Sequence, residues 1–201
     1  MDIVDPQEVL SFWLGELDAQ GLAARERRER WFKAEAELDA EIRSRFLSTY
    51  EALAAGRLET WLDEPRSRLS AVIVLDQLAR NMFRGTPRMF EADSRALAIA
   101  SKSIELGDEA SLRTQERTFL YMPFMHSEAL SDQERCVELF AALRDELDEP
   151  ARGLVENNHH FAVLHRDIIA EWGRFPHRNA VLGRVSTAAE LAFLETPGSS
   201  F

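Results

Sequence analysis

Leu69-Ser70-Ala71-Val72-Ile73-Val74-Leu75-Asp76-Gln77-Leu78-Ala79-Arg80-Asn81-Met82-Phe83 is the stretch that decides what kind of protein this chain makes. At helical steps of roughly 100° per residue, Leu69, Val72, Ile73, Ala79 and Phe83 fall within about 60° of Asp76. Ala71, Val74 and Met82 fall on the far side. A helix that is apolar nearly all round must be enclosed by other elements. The spacing predicts a central, buried helix over 67–83, closed by Gly85 and Pro87.

Asp76 stands in the middle of this apolar face. A buried carboxylate takes a partner or gives up its charge. Arg80 lies one turn on and Arg84 two turns on, so Asp76 is expected to pair with Arg80, with Arg84 near. The pair reads either as a structural tie or as part of a ligand clamp. Gln77 and Asn81 lie farther round, toward a neighbouring helix.

Helical signals continue on both sides. Asp5-Pro6 starts a helix that Gly15 stops, and Leu38, Ile42, Phe46, Tyr50 and Leu53 recur at helical intervals between Ala36 and Ala55. Between them, residues 25–33 are charged around an apolar pair, Trp31-Phe32. Asp93 caps a helix over 94–106, and Thr114 opens another that Pro123 is expected to kink or stop. Ser131 and Glu134 have the spacing of a capping box for a helix to about Leu147, with Cys136, Leu139, Phe140 and Leu143 as its apolar stripe. Pro150 starts a long helix to Trp172, stopped by Gly173. Short helices over 177–182 and 187–195 follow, the second with Thr187 and Glu190 as a capping box. No stretch alternates as a strand does. The expectation is an all-α single domain over 1–195, built of stacked αα-hairpins, with 196–201 as a frayed tail.

Composition narrows the function. The chain has 201 residues and a net charge of −11, which argues against a nucleic-acid partner. No apolar run approaches the roughly 20 residues that span a bilayer, and the acidic start of the chain has no signal-peptide pattern, so a cytoplasmic protein without a membrane partner is expected. Cys136, the single cysteine, excludes an intramolecular disulfide and reads as core. Against this acidic background, residues 66–90 carry five arginines and one aspartate, and residues 152–184 carry five arginines and three acids. If these stretches meet, they make a confined positive site for a small anion or a carboxylate.

Three further segments carry unusual chemistry. Glu156-x-x-His159, beside His160 and His165, has the spacing of one di-metal ligand pair. The second pair that such a centre requires is missing, so no metal or other cofactor is expected. The apolar face of that helix is read as Leu154, Phe161, Leu164, Ile168 and Trp172. Arg174, His177, Arg178, Asn179 and Arg184 sit on a turn pinned by Gly173, Pro176 and Gly183, either gripping an anion or tying helix ends. His126 and Glu128 follow Pro123 at a helix end and are a candidate acid–base pair.

Taken together, three of these segments resemble a known family. They are Leu75-Asp76-Gln77-Leu78-Ala79-Arg80-Asn81-Met82-Phe83-Arg84-Gly85-Thr86-Pro87, Tyr121-Met122-Pro123-Phe124-Met125-His126-Ser127-Glu128 and Gly173-Arg174-Phe175-Pro176-His177-Arg178-Asn179 with Leu182-Gly183-Arg184. They resemble the bacterial domain-of-unknown-function family 924, and the likeness runs from Val9 to Leu194. Where the family pattern often has Phe-Pro, this chain has Leu78-Ala79, which relaxes a helix kink before Arg80. The resemblance implies an all-helical fold like tetratricopeptide-repeat (TPR) proteins and supplies no activity.

The reading these residues support first is a binding module. Asp76, Arg80, Arg84, Tyr121, His126, Arg174, His177, Arg178 and Asn179 would surround a groove for a small anionic ligand or a peptide carboxylate. The alternatives are an enzyme using His126 or His177 as acid–base, and a purely structural polar network.

Overall fold

The computed structural model describes residues 3–31 and 33–199, and their regular structure is helical. α1 (Pro6–Trp13) starts on Asp5, whose carboxylate accepts from the Gln7 amide. α2 (Arg25–Arg30) and α3 (Ala36–Ala54) follow. The central segment is α4 (Pro65–Val72), a π-helical turn (Ile73–Leu78) and α5 (Ala79–Met82). Then come α6 (Asp93–Glu105), α7 (Thr114–His126), α8 (Leu130–Asp145), α9 (Ala151–Trp172) and α10 (Ala188–Leu194), with 3₁₀ turns at Pro87–Phe90, Asp108–Ser111 and Pro176–Arg178. The β-type pairing among the described residues is an isolated bridge between Leu17 and Ala23. No described helix is long and apolar enough to cross a membrane.

The central segment is enclosed as its composition requires: every residue from Arg68 to Ala79 is buried. α1, α3, α6 and α7 pack around it, while α8 packs on α7 and most extensively on α9. One apolar core runs from Val9 to Ala162, and a smaller cluster of Ile168, Ile169 and Phe175 sits beyond it with Trp172 and Phe193. Trp31 stands edge-on to Phe119 at 4.7 Å and donates its indole N–H to the Trp13 carbonyl at 2.8 Å. Arg68 and Asp108, both buried, fork together at 2.6 and 2.7 Å and tie α4 to the turn after α6. The last capping box forms as its spacing predicts, Thr187 and Glu190 each accepting the other's amide at 3.2 and 2.7 Å.

Several local expectations are corrected. The central helix is not a continuous α-helix, because residues 73–78 close π-type bonds that take one extra residue into the turn and shift the faces before and after it. α7 is not stopped at Pro123 but runs on to His126. Ser131 does not cap α8, which starts one residue earlier behind Ala129 with no side-chain cap. Of the expected apolar face of α9, Ile168 is buried, Leu154, Leu164 and Trp172 are half-buried and Phe161 is 39% exposed, while Val155, Ala162, His165 and Ile169 are also buried. Phe32 lies outside the described residues. Of the expected tail, Ser199 is buried and donates to the Leu194 carbonyl at 3.0 Å.

Candidate functional site

The π-turn delivers Asp76 to the end of α7. Asp76 is fully buried, and its Oδ1 lies 2.7 Å from His126 Nδ1 and 3.1 Å from the Arg80 guanidinium. Its Oδ2 accepts from the Gln77 amide at 2.6 Å. Arg80 also donates to the Asp76 carbonyl at 2.6 Å and forks onto both oxygens of Asp93, at 3.1 Å each. The expected Asp76–Arg80 pair is present, and Asp93, the first residue of α6, completes it from a separate helix.

His126 is the last residue of α7, and the turn after it is held from both sides. Gln133, buried on α8, points its amide N–H group at the carbonyls of Met125 and Ser127, at 2.7 and 2.6 Å. Ser127 donates to Asp132 at 2.6 Å. With Nδ1 engaged by Asp76, nothing among the described residues hydrogen-bonds His126 Nε2. Burial, reinforced by the Arg80 charge, holds the His126 pKa below its ordinary value, and Asp76 only partly offsets this. The same neighbours, Arg80 and His126, hold Asp76 well below the usual carboxylate range against the cost of its burial.

The loop after α9 brings in the second cationic stretch. Gly173 takes a left-handed φ of 66° that ends α9, the role its position predicted. Glu128 then clamps the loop: it accepts from the Phe175 amide at 2.8 Å and from Arg184 at 2.6 and 2.9 Å. Arg178, 7% exposed, is thereby laid between the rings of Phe90 and Phe175, at 4.6 and 4.3 Å from their centroids. It donates to the His126 carbonyl at 2.9 Å, and its nearest carboxylate oxygen, on Asp93, is 3.8 Å away. Its Nε is buried without a hydrogen-bond partner. Burial and the neighbouring Arg80 push the Arg178 pKa down to about 10, although Asp93, Glu128 and Asp76 pull the other way.

Of the nine residues singled out in the sequence, Asp76, Arg80, His126 and Arg178 meet here. Arg84 forks onto Asp39 of α3 at 2.7 and 3.0 Å instead of approaching Asp76, and Asn81 joins the same carboxylate at 2.8 Å. Tyr121 belongs to a separate cluster, donating to Glu109 and accepting from Arg117 at 3.1 Å. Arg174 forks onto Glu190 at 2.6 and 2.7 Å, and Asn179 reaches Ser186 at 3.0 Å. His177 packs against Phe175 with ring centroids 5.5 Å apart, and burial takes its pKa to about 4. The pair His126–Glu128 does not form; each takes a different partner. A surface hollow of 690 Å³ lies elsewhere, between residues 16–28 and the start of α9, and none of these nine residues lines it.

Nothing in the order of the sequence joins Asp93, Phe90 and Glu128 into one site with Arg80 and Arg178. Asp93 read as a helix cap, and its contact with Arg80 spans 13 residues with no local periodicity to announce it. The clearest available signal was the excess of arginine in the two stretches, which demanded carboxylates from other elements.

The class defined here is an all-helical protein in which two carboxylates, Asp76 fully buried and Asp93 partly so, gather a histidine and two arginines. The family model of bacterial proteins of unknown function, DUF924, matches residues 9–198, and the chain belongs to that family. Its fold is similar to the solved structure of a protein of unknown function, ATU0120, from Agrobacterium tumefaciens. The TM-score is 0.78 at 32% identity, over 94% of this chain and 96% of that one. No curated protein matches the chain.

Proposed function

We propose that this protein is a cytoplasmic binding module, and that the Asp76–Arg80–Asp93–His126–Arg178 cluster receives a small ligand through a carboxylate or phosphate group. The observation that carries this is the state of Arg178. Arg84, Arg174 and Arg184 each fork onto a carboxylate within 3.0 Å. Arg178 is buried against two aromatic rings with no carboxylate at that range, and its Nε, like that of Arg184, has no hydrogen-bond partner. A desolvated guanidinium with incomplete compensation gains from an external anion more than a solvated one does. A TPR-like stacking of hairpins, as the sequence leads one to expect, would suit a ligand held between helix ends, as an analogy of fold only.

A second reading makes the ligand a substrate and His126 an acid–base group. It is favoured by the 2.7 Å contact with Asp76, which sets the proton on Nδ1 and leaves Nε2 as an acceptor.

The test is a titration of acetate and inorganic phosphate into the wild type and Arg178→Gln, followed by calorimetry and by the arginine Nε–H signals in NMR. The expected result is saturable binding that perturbs the Arg178 and Arg80 signals and weakens at least about tenfold in Arg178→Gln. Binding that is indifferent to Arg178→Gln, or none by either anion, overturns the proposal.

A further inference from the structure

Asp93 occupies a particular place in this cluster. Its two oxygens lie 3.1 Å from the two terminal nitrogens of Arg80, in the planar fork that a free carboxylate would adopt, and one of them is 3.8 Å from Arg178. The side chain is 18% exposed, so the seat it fills communicates with solvent. It stands at the first residue of α6, where the helix has no side-chain cap behind it.

The charges around it already cancel. Arg80 and Arg178 face Asp76 and Asp93, with His126 held toward its neutral form by burial. An added monoanion therefore enters a site with no net charge to spare, unless one of the internal carboxylates yields. Asp76 cannot yield readily: it is fully buried, and three different side chains hold it. Asp93 is the less committed of the two, bound through Arg80 and only loosely approached by Arg178. Burial raises its pKa, and the like charge of Asp76 adds to this against the pull of Arg80, whereas the pKa of Asp76 is lowered.

We infer that Asp93 is a place-holder for the ligand: its carboxylate fills the Arg80 fork that the ligand's own carboxylate takes over, and it thereby makes the site selective for planar carboxylates. This rests on the anion-binding reading above and names the ligand group and the residue that discriminates it. Inorganic phosphate can also fork onto a guanidinium, but it brings more charge than a carboxylate to a seat framed by Asp76, and that difference is what discriminates the two.

The experiment titrates acetate and inorganic phosphate into the wild type, Asp93→Asn, Asp93→Ser and, as a control for the general field, Glu91→Gln. Glu91 is exposed and pairs with Arg88 at 3.6 Å, outside the cluster. The expected result is acetate bound at least about tenfold tighter by Asp93→Asn than by the wild type, a smaller gain for phosphate, and less than about twofold change in Glu91→Gln, whose charge is screened by solvent. In the wild type, the Asp93 side-chain carboxyl carbon signal should move on acetate saturation. Should Asp93→Asn not fold, Asp93→Ser and this wild-type signal carry the same decision. An unmoved Asp93 signal, an equal gain in Glu91→Gln, or equal gains for both anions overturns the inference. If the wild type binds acetate through Arg178 and Asp93→Asn binds no tighter, this inference alone falls. If neither binds any anion, the binding reading falls with it.

Discussion

Asp76 keeps a charge at full burial because His126, Arg80 and Gln77 converge on it, while burial and the Arg80 charge hold His126 toward its neutral form. His126 shares this state with His165 and His177, whose pKa values burial lowers to about 3 and about 4. In each case the unfolded chain takes up a proton near pH 6.5 while the folded chain does not. The stability tied to neutral histidine is thus intact above about pH 6.5 and is lost as pH falls through that value, His177 ceasing to contribute to the slope near pH 4 and His165 near pH 3. Asp76, lowered in the fold, adds a loss in the same direction at more acid pH, whereas Asp93, raised in the fold, opposes it. Urea midpoints should therefore fall steadily from pH 6.5 to pH 4. In His165→Phe the slope should be visibly shallower, since the replacement removes the titrating group and keeps a ring edge-on to Phe175, at the cost of the 2.8 Å contact with the Phe161 carbonyl. An unchanged slope would show that His165 is not a group the acid limb titrates.

At the scale of elements, the site is made by the ends of helices and not by their faces. The π-turn turns Asp76 toward the C-terminus of α7, and Gln133 on α8 satisfies the carbonyls that this C-terminus leaves open. Replacing Gln133 by Leu removes the donor while keeping the burial, so the carbonyls of Met125 and Ser127 lose their partner. The expected cost is about 2 kcal/mol in urea unfolding. A role in seating His126 should also show as a shift of the His126 ring signals and of their titration, and Gln133→Glu, which cannot donate when ionised, should not restore them. Unmoved His126 signals would leave Gln133 as a packing residue only. The expectation of a capping box at Ser131 failed for the same reason: the polar groups around residues 127–133 serve the end of the preceding helix and not the start of their own.

Over the whole molecule, burial is uneven. The central segment and its four neighbours share one core, while α9's last turns, the 173–184 loop and α10 rest on a small satellite cluster and on the ion pairs of Glu128 and Glu190. Native-state hydrogen exchange should show amides of residues 175–194 opening with a free energy below that of the α4 and α7 amides, as a unit that takes Arg178 away from the site. Exchange of both sets at the same, global free energy would mean that the satellite is not separable. In the expected case, the loose end of the molecule supplies one side of the site and the rigid core the other.

The helical class, the enclosed central segment, the caps at Asp5, Thr187 and Gly173 and the Asp76–Arg80 contact were all legible in the chain, because each depends on residues within a few turns of one another. The π-turn was not legible, since an extra residue in a turn is stabilised by packing on all sides and leaves no mark on an already uniformly apolar run. Nor could the chain say which carboxylate each arginine would choose: Asp39 for Arg84, Glu128 for Arg184 and Asp93 for Arg80 are 45, 56 and 13 residues away. Charge acts through space, and periodicity carries no information about which distant helix end will stand within 3 Å of a guanidinium. Composition determined that arginines and acids had to meet inside an acidic helical protein; only the tertiary arrangement decided that His126 would take Asp76 and that Arg178 would stand no closer than 3.8 Å to a carboxylate.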